Sequence, residues 1–512
     1  MKKIAIFSIT ILFIALGACT KQDGTNTQLL SGELKTKTNT ASVPSGTPID
    51  KPQLDHVIIH TLESHNDFQW EWVDLKTLWS ALQYGDHSLA IGYKPAAEGD
   101  ISKKLHTLNI KSGVYKQVHD ELIALILEEL NKTATNPVTL SSILIEDDPI
   151  LPIITLRITD KNVLTKLYNL QNVRYLEPLD YWPDGNRSSS GCNAATEPLN
   201  TADWTNTTPG ALVPWNYPLQ NIPTAWSLSQ GSGITIGIID AGLSSSQNLL
   251  STLFNNGDSN VGRTVNTDFT TGTSAFTSCT HGTSMAGLAV GPRNNQGATT
   301  GVAYKSNLYF IRAADDVVLD ASNEKTGVKN AFILMGNNPN VKVISISMGT
   351  PFSSSLLKDG VDYANGLGKL IFAAAGTSFT WTSWWGVIYP AAYSSCVAVT
   401  GVRENNSTCG TCHDGSQVMY TITMERNSNN NRNSLSLPAS GFTPTYIGGS
   451  SCATATTAGI ASLVWSARPN MTRAQLLTCL TNTAQFYPAK NSYQGYGNLN
   501  ASAAVNYAIA NY

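Results

Sequence analysis

The sequence predicts an α/β protein: a large carboxyl-terminal unit built on a parallel sheet flanked by helices, preceded by a small mixed α/β unit. Three observations carry this. From residue 215 to 512, short apolar runs alternate with Ala-rich segments at helical spacing, as in strands joined by helical crossovers. The run Ile234–Ile239 is apolar at all but two positions, as a parallel strand buried on both faces requires. Between residues 55 and 180, strand-like and helix-like segments follow one another at shorter range, and an Asn-, Ser-, Thr- and Pro-rich stretch separates them from the rest.

In order along the chain, Lys2 and Lys3 precede an apolar run, Ile4–Leu16, that ends in Gly17, Ala18 and Cys19. A spanning helix needs about 20 apolar residues, so this shorter run reads as a secretory signal over residues 1–18. Small residues before a cysteine resemble the bacterial lipoprotein box, which implies lipidation of Cys19 and anchoring to a membrane without spanning it. A plain signal peptide with Cys19 incidental is the simpler alternative. Residues 19–54, rich in Thr, Ser, Lys and Gly, read as a flexible tether. Within the unit at 55–180, strands are expected over His87–Tyr93, Leu140–Ile145, Ile150–Ile158 and Val173–Leu176, with helices over Val114–Leu130 and Asn162–Leu170. Residues 181–214 read as a linker and 215–512 as the main unit.

At 512 residues the chain can hold two or three domains. A net charge of −3 gives no signal for nucleic acid or an anionic membrane surface, and no nucleic-acid partner is expected. Apart from Cys19 there are seven cysteines: Cys192, Cys279, Cys396, Cys409, Cys412, Cys452 and Cys479. An exported chain permits disulfides, but an odd number leaves at least one thiol over. Spacing does not reveal the pairing.

Three residues carry the chemistry. Asp240 ends the apolar strand and precedes Ala241-Gly242, at the carboxyl end where open α/β sheets hold their sites. His281 opens His281-Gly282-Thr283-Ser284-Met285-Ala286-Gly287, a small-residue helix start. Only His281 and His413 lie beyond residue 200, so a histidine-dependent mechanism has few candidates. Ser451 sits in Gly449-Ser450-Ser451-Cys452-Ala453-Thr454, at the positive end of an Ala-rich helix, which suits a nucleophile that will carry an oxyanion-bearing adduct. The order Asp, His, Ser is that of subtilisin among the known triads. With Val343–Gly349, Tyr389–Val399, Ala467–Gln475 and Gly495–Asn500, the chain resembles the subtilisin-like serine proteases over about 290 residues. Residues 151–178 resemble the end of that family's propeptide, a small α/β fold that inhibits the enzyme and helps it fold. Gly282-Thr283-Ser284-Met285-Ala286 spells the family's nucleophile signature, but Ser284 shares a helix with His281 and breaks the family order, so Ser451 is the better nucleophile.

The resemblance implies a secreted or lipid-anchored serine endopeptidase with Asp240, His281 and Ser451 as its triad, made as a self-processing precursor and acting on proteins or peptides. It implies substrate contacts at Ser347, Met348, Gly349, Ala374, Ala375 and Gly376, and partners that include its own propeptide and, through Cys19, the membrane. The location implied is the bacterial cell envelope, at the outer membrane or cell surface, or the medium after maturation. No cofactor is required; structural calcium is common in the family, but no acidic loop here names ligands. One departure stands out. The family's oxyanion-hole Asn is replaced by Thr377, whose shorter hydroxyl would act beside the backbone N–H of Ser451. That motivates an alternative, a catalytically impaired subtilisin-like binding protein. Ala455 replaces a Pro after the nucleophile, and Trp381, Trp384 and Trp385 fall in a loop that helps form the primary specificity pocket. Cys409-Gly410-Thr411-Cys412-His413 matches a c-type haem attachment pattern, although a small disulfide loop is the simpler reading.

Overall fold

The structure is a computed structural model that describes residues 30–183, 191–192, 196–378 and 386–512. The signal segment, Cys19, Trp381, Trp384 and Trp385 lie outside the described residues.

The amino-terminal unit contains α1 (Lys51–His65), α2 (Leu75–Tyr84), β1 (Ser88–Tyr93), α3 (Gly113–Asn131), the single turn α4 (Leu140–Ile143), β2 (Leu144–Asp147), β3 (Ile153–Arg157), α5 (Lys161–Tyr168) and β4 (Val173–Pro178). The caps explain several boundaries. Asp50, Asp74 and Asp160 each accept a first-turn N–H, satisfying donors that the helix itself leaves open. The strands form an antiparallel sheet in the order β2-β3-β1-β4, with Ile91 opposite both Ile154 and Leu176. Alternation predicts a strand over Leu140–Ile145, but residues 140–143 form a helical turn and the strand begins at Leu144. A capping box between Thr139 and Ser142 favours the turn, and local hydroxyl bonds of this kind compete with sheet pairing. The segment read from composition as a tether is hydrogen-bonded to this unit from residue 33 onward. Lys35 N–H donates to Asn172 Oδ1 (2.8 Å), Lys37 N–H to Asn169 O (2.7 Å) and Ala41 N–H to Asn169 Oδ1 (2.8 Å).

The carboxyl-terminal unit runs β5 (Trp204–Thr207), β6 (Ala211–Pro214), the one-turn α6 (Ile222–Ala225), β7 (Thr235–Asp240), β8 (Val265–Phe269), α7 (His281–Val290), β9 (Asn307–Arg312), α8 (Ser322–Asn337), β10 (Val341–Ile346), α9 (Ser355–Gly366), β11 (Leu370–Ala374), β12 (Val397–Arg403), β13 (Val418–Glu425), β14 (Ser434–Ser436), β15 (Thr445–Ile447), α10 (Gly449–Ala467), α11 (Arg473–Asn482) and α12 (Ala501–Asn511). The second half of the predicted linker thus forms the antiparallel β5–β6 hairpin. Seven strands form one parallel sheet in the order β13-β12-β11-β10-β7-β9-β8. Its strands are apolar on both faces. Ile236, Ile238, Val343 and Phe372 enter the core beneath α7 and α10, while Ile239, Ile344, Ile346 and Ile371 enter the core beneath α8 and α9. Burying each such side chain contributes roughly 1.5–3 kcal/mol.

Helices α7 and α10 are buried nearly all round, which small residues permit by letting backbones come close. At Gly459 a Cβ would stand 2.6 Å from the Val302 side chain, so any larger residue would push α10 outward. Apart from Cys192–Cys279 and Cys409–Cys412, which are disulfides, Cys396, Cys452 and Cys479 are free, in line with the odd count.

The amino-terminal sheet lies over α8 and α9, whose Ile333, Leu356 and Tyr363 complete its core. Charged groups cross this contact in pairs. Arg174 makes a bidentate bond to Asp359 (2.7 and 2.8 Å), and the fully buried Lys329 meets Glu146 (2.8 Å) and Asp148. Glu177 accepts the Leu356 N–H in the first turn of α9 (3.0 Å). Burial raises the pKa of the Glu177 carboxyl to about 7, against the lowering effect of nearby Lys325 and its hydrogen bonds. The folded state therefore holds a proton that the unfolded chain has released, and this contribution to stability falls as pH rises from about 4.5 through about 7. Glu177→Gln, neutral at every pH, should gain in melting temperature relative to the parent across that window. An equal difference at pH 5 and pH 8 would contradict this assignment.

Candidate functional site

The parallel sheet brings the carboxyl ends of β7 and β10 together, and the candidate residues gather there. Asp240 is the last residue of β7 and has no exposed surface. His281 is the first residue of α7, 4% exposed, and its Nδ1 lies 2.8 Å from Asp240 Oδ1. The same oxygen accepts the Ala241 N–H (2.8 Å), while Oδ2 has no partner among the described residues. Burial opposes a charged imidazole at His281, but the Asp240 carboxylate, its hydrogen bond and the charge of Asp316 outweigh it and hold the pKa above the usual 6.5. With Nδ1–H donated to Asp240, the neutral ring carries its free lone pair on Nε2.

Ser451 is the third residue of α10, within the first turn whose N–H groups have no acceptor inside the helix. Its hydroxyl donates to Ser347 O (3.4 Å), and the Ser347 hydroxyl donates to Ser451 O (3.3 Å). The structure thus joins Asp240 to His281, and ties Ser451 to the end of β10 rather than to the imidazole. Next to it, Thr377 Oγ1 accepts the Ser450 N–H (3.2 Å) and lies 3.2 Å from Ser450 Oγ, which in turn accepts the Gly376 N–H (3.0 Å). The Thr377 hydroxyl is therefore engaged with the residue before Ser451.

The expected substrate segments follow β10 and β11. Gly349 N–H donates to Val317 O (2.9 Å), and Leu319 N–H donates to Gly349 O (2.9 Å), so Gly349 pairs in parallel with Val318. Ala374–Gly376 is braced by Ala375 N–H to Val399 O (2.9 Å) and by Ile388 N–H to Ala375 O (2.9 Å). Gly191 and Cys192 lie at the rim. A Cβ on Gly191 would stand 3.6 Å from the His281 ring, the Cys192 sulfur is bonded to Cys279, and Thr280 donates to Cys192 O through its N–H (3.1 Å) and hydroxyl (3.0 Å).

Ser284, the serine of the misplaced signature, is 4% exposed and donates to Leu437 O (3.4 Å) one turn beyond His281. The Cys409–Cys412 bond leaves neither sulfur as a thiol for haem attachment. Among the described residues, no group of three or more His, Cys, Asp or Glu is arranged to hold a metal, and no helix is long and apolar enough to cross a membrane.

Sequence reasoning missed three features. Ser450 and the pairing of Val317–Leu319 with Gly349 left no sequence signal, since a single serine and a short loop strand are common. The Cys192–Cys279 bond had a partial one, in two cysteines flanking the linker and the histidine motif.

Comparison with known proteins shows what the chain is similar to. The model of the Subtilase family matches residues 231–497. Thermitase of Thermoactinomyces vulgaris is 29% identical over 294 residues, covering 56% of this chain and 93% of that protein. A subtilisin of Bacillus pumilus is 32% identical over 275 residues, covering 54% of this chain and 92% of its own. The crystal structure of MycP1 from Mycobacterium smegmatis aligns with 62% of this chain and 89% of its own at 20% identity, with a TM-score of 0.48.

The paired Asp240 and His281 make a direct prediction. The imidazole of His281, followed by NMR, should titrate above 6.5, and Asp240→Asn should lower it, because burial is then opposed by Asp316 alone. An unchanged titration would remove the electrostatic link between the two.

Proposed function

Since the chain belongs to the subtilase family and is a subtilisin-like serine protease, we propose that it hydrolyses peptide bonds through Asp240, His281 and Ser451. The observation that carries this reading is the buried Asp240–His281 hydrogen bond of 2.8 Å at the mouth of the parallel sheet, with Ser451 opening the helix that packs over the neighbouring strands. In this reading the Ser451 hydroxyl leaves Ser347 O and turns to His281 Nε2. His281 then takes the hydroxyl proton as Ser451 Oγ attacks the peptide carbonyl, and returns it to the leaving amine. Asp240 holds the tautomer and stabilises the imidazolium. Water hydrolyses the acyl-enzyme by the same proton path in reverse. The Ser451 N–H, free in the first turn of α10, and the Thr377 hydroxyl serve the oxyanion, and Ser347–Gly349 and Ala374–Gly376 hold the substrate backbone.

The unit at 55–180 is read as a propeptide that the enzyme cuts from itself within 181–214. Its position over α8 and α9, and the approach of Gly191 to His281, support that reading. Cys19 is read as a lipidated anchor to the cell envelope. One observation favours the alternative, an impaired binding protein: the Thr377 hydroxyl is engaged by Ser450. Labelling by a fluorophosphonate serine probe separates the two readings, since a processed protein that never labels would not be a protease.

Three outcomes are expected. Intact mass and amino-terminal sequencing should find wild type cut and Ser451→Ala uncut; equal processing of pure Ser451→Ala would refute self-cleavage. Because Cys192 is bonded to Cys279, a cut before Cys192 frees the amino-terminal unit covalently. A cut after Cys192 frees it only on reduction, so gels run with and without reductant locate the cut relative to that bond. Thr377→Val, which keeps the shape and loses the hydroxyl, should lower kcat on the order of 100-fold with little change in KM. A wild-type kcat would mean that the backbone alone serves the oxyanion.

A further inference from the structure

The segment Cys409–His413 is unused by the triad and by the haem reading, yet it touches the wall beside Ser451 at every residue from 376 to 378. His413 N–H donates to Gly376 O (2.9 Å), Thr377 forms an antiparallel bridge with Cys412, and Ser378 N–H donates to Thr411 O (2.6 Å). The same wall reaches Ser450, the neighbour of Ser451, on its other side: Gly376 N–H donates to Ser450 Oγ (3.0 Å), and Ser450 N–H donates to Thr377 Oγ1 (3.2 Å). Residues 376–378 are thus held between the start of α10 and this loop.

The imidazole of His413 has a defined place in that arrangement. It is 4% exposed and stacked where a side chain at 376 would go: a Cβ there would fall 2.4 Å from its Nδ1, and the φ of +125° at Gly376 also selects glycine. Nδ1 donates to Gly386 O (3.0 Å), so the ring ties the 376 wall to the segment that leads into Ile388 and Tyr389. Ile388 N–H closes the circuit on Ala375 O (2.9 Å). Burial disfavours the protonated ring, which leaves Nδ1–H as its one donor and makes the bond to Gly386 the anchor.

The loop is itself stiff. The Cys409–Cys412 bond closes it, Cys409 N–H donates to Gly401 O (3.1 Å), Gly410 N–H to Glu425 Oε2 (3.0 Å), and the Thr400 hydroxyl to His413 O (2.5 Å). The sheet strands β12 and β13 therefore hold the loop, and the loop holds the wall.

We propose that the disulfide-closed loop Cys409–His413 is the buttress that sets the carbonyl-binding wall Gly376–Ser378 beside Ser451, with His413 as its positioning residue. This rests on the triad reading above. A wall displaced by a fraction of an ångström weakens bonds made to the oxyanion in the transition state more than those made to the bound substrate, so kcat bears the loss.

The test uses the full chain with His413→Leu, His413→Asn and the double variant Cys409→Ser/Cys412→Ser. Readouts are kcat and KM on a peptide anilide, fluorophosphonate labelling rate and melting temperature. His413→Leu should lower kcat and the labelling rate by on the order of 10- to 100-fold with KM within about twofold. His413→Asn, whose amide can still donate toward Gly386 O, should recover part of the loss, and the double variant should lower kcat in the same sense. Should His413→Leu fail to fold, the double variant decides by the same split. A wild-type kcat in both, or losses in His413→Leu and His413→Asn that simply follow melting temperature, overturns the proposal while the triad reading stands. A wild-type protein that neither labels nor cleaves overturns both.

Discussion

A carboxylate with no solvent contact costs several kcal/mol unless a partner compensates it, and Asp240 is such a group. Its compensation is His281, and much of the carboxyl-terminal unit serves to bring the two together. The parallel sheet delivers Asp240 at the end of β7, and α7 must begin where its first residue can meet it. Close packing around α7 then demands small residues: a Cβ on Gly282 would stand 2.3 Å from Gly242 O, and one on Gly287 would stand 2.6 Å from the Ser436 hydroxyl. The pair raises the basicity of an imidazole that burial alone would depress, which is what a proton acceptor near neutral pH requires.

The second organising contact is that between the two units. Opposite charges, buried or half-buried, meet across it, Lys329 with Glu146 and Asp148 and Arg174 with Asp359, and match the amino-terminal unit to α8 and α9. Paired charges in such a contact give register more than net stability, because removing them from water offsets most of their attraction. Helices α7 and α10 lie on the opposite face of the sheet, so the surface shared by the units is not the one that carries His281 and Ser451. What connects the first unit to the site is the chain between them, which reaches His281 at Gly191 and is bonded there through Cys192.

Beside Ser451, the wall at residues 376–378 is held from two sides. Thr377 has turned toward Ser450, and the wall is supported from behind by backbone bonds to residues 411–413.

By itself the sequence determined the α/β class, the strand ending in Asp240, the helix start at His281 and the helix that carries Ser451 in its first turn. Hydrophobic period, small-residue runs and chain order are local properties, legible without coordinates. Only tertiary structure decided that residues 140–143 turn before β2 begins, which cysteines pair, that Gly349 runs beside Val317–Leu319, and that Thr377 bonds Ser450. These depend on contacts between residues up to 87 positions apart, as in Cys192–Cys279, and on hydroxyls that can turn to any of several partners. Composition and periodicity carry no record of either, because the same side chain satisfies its hydrogen bond equally well in many surroundings.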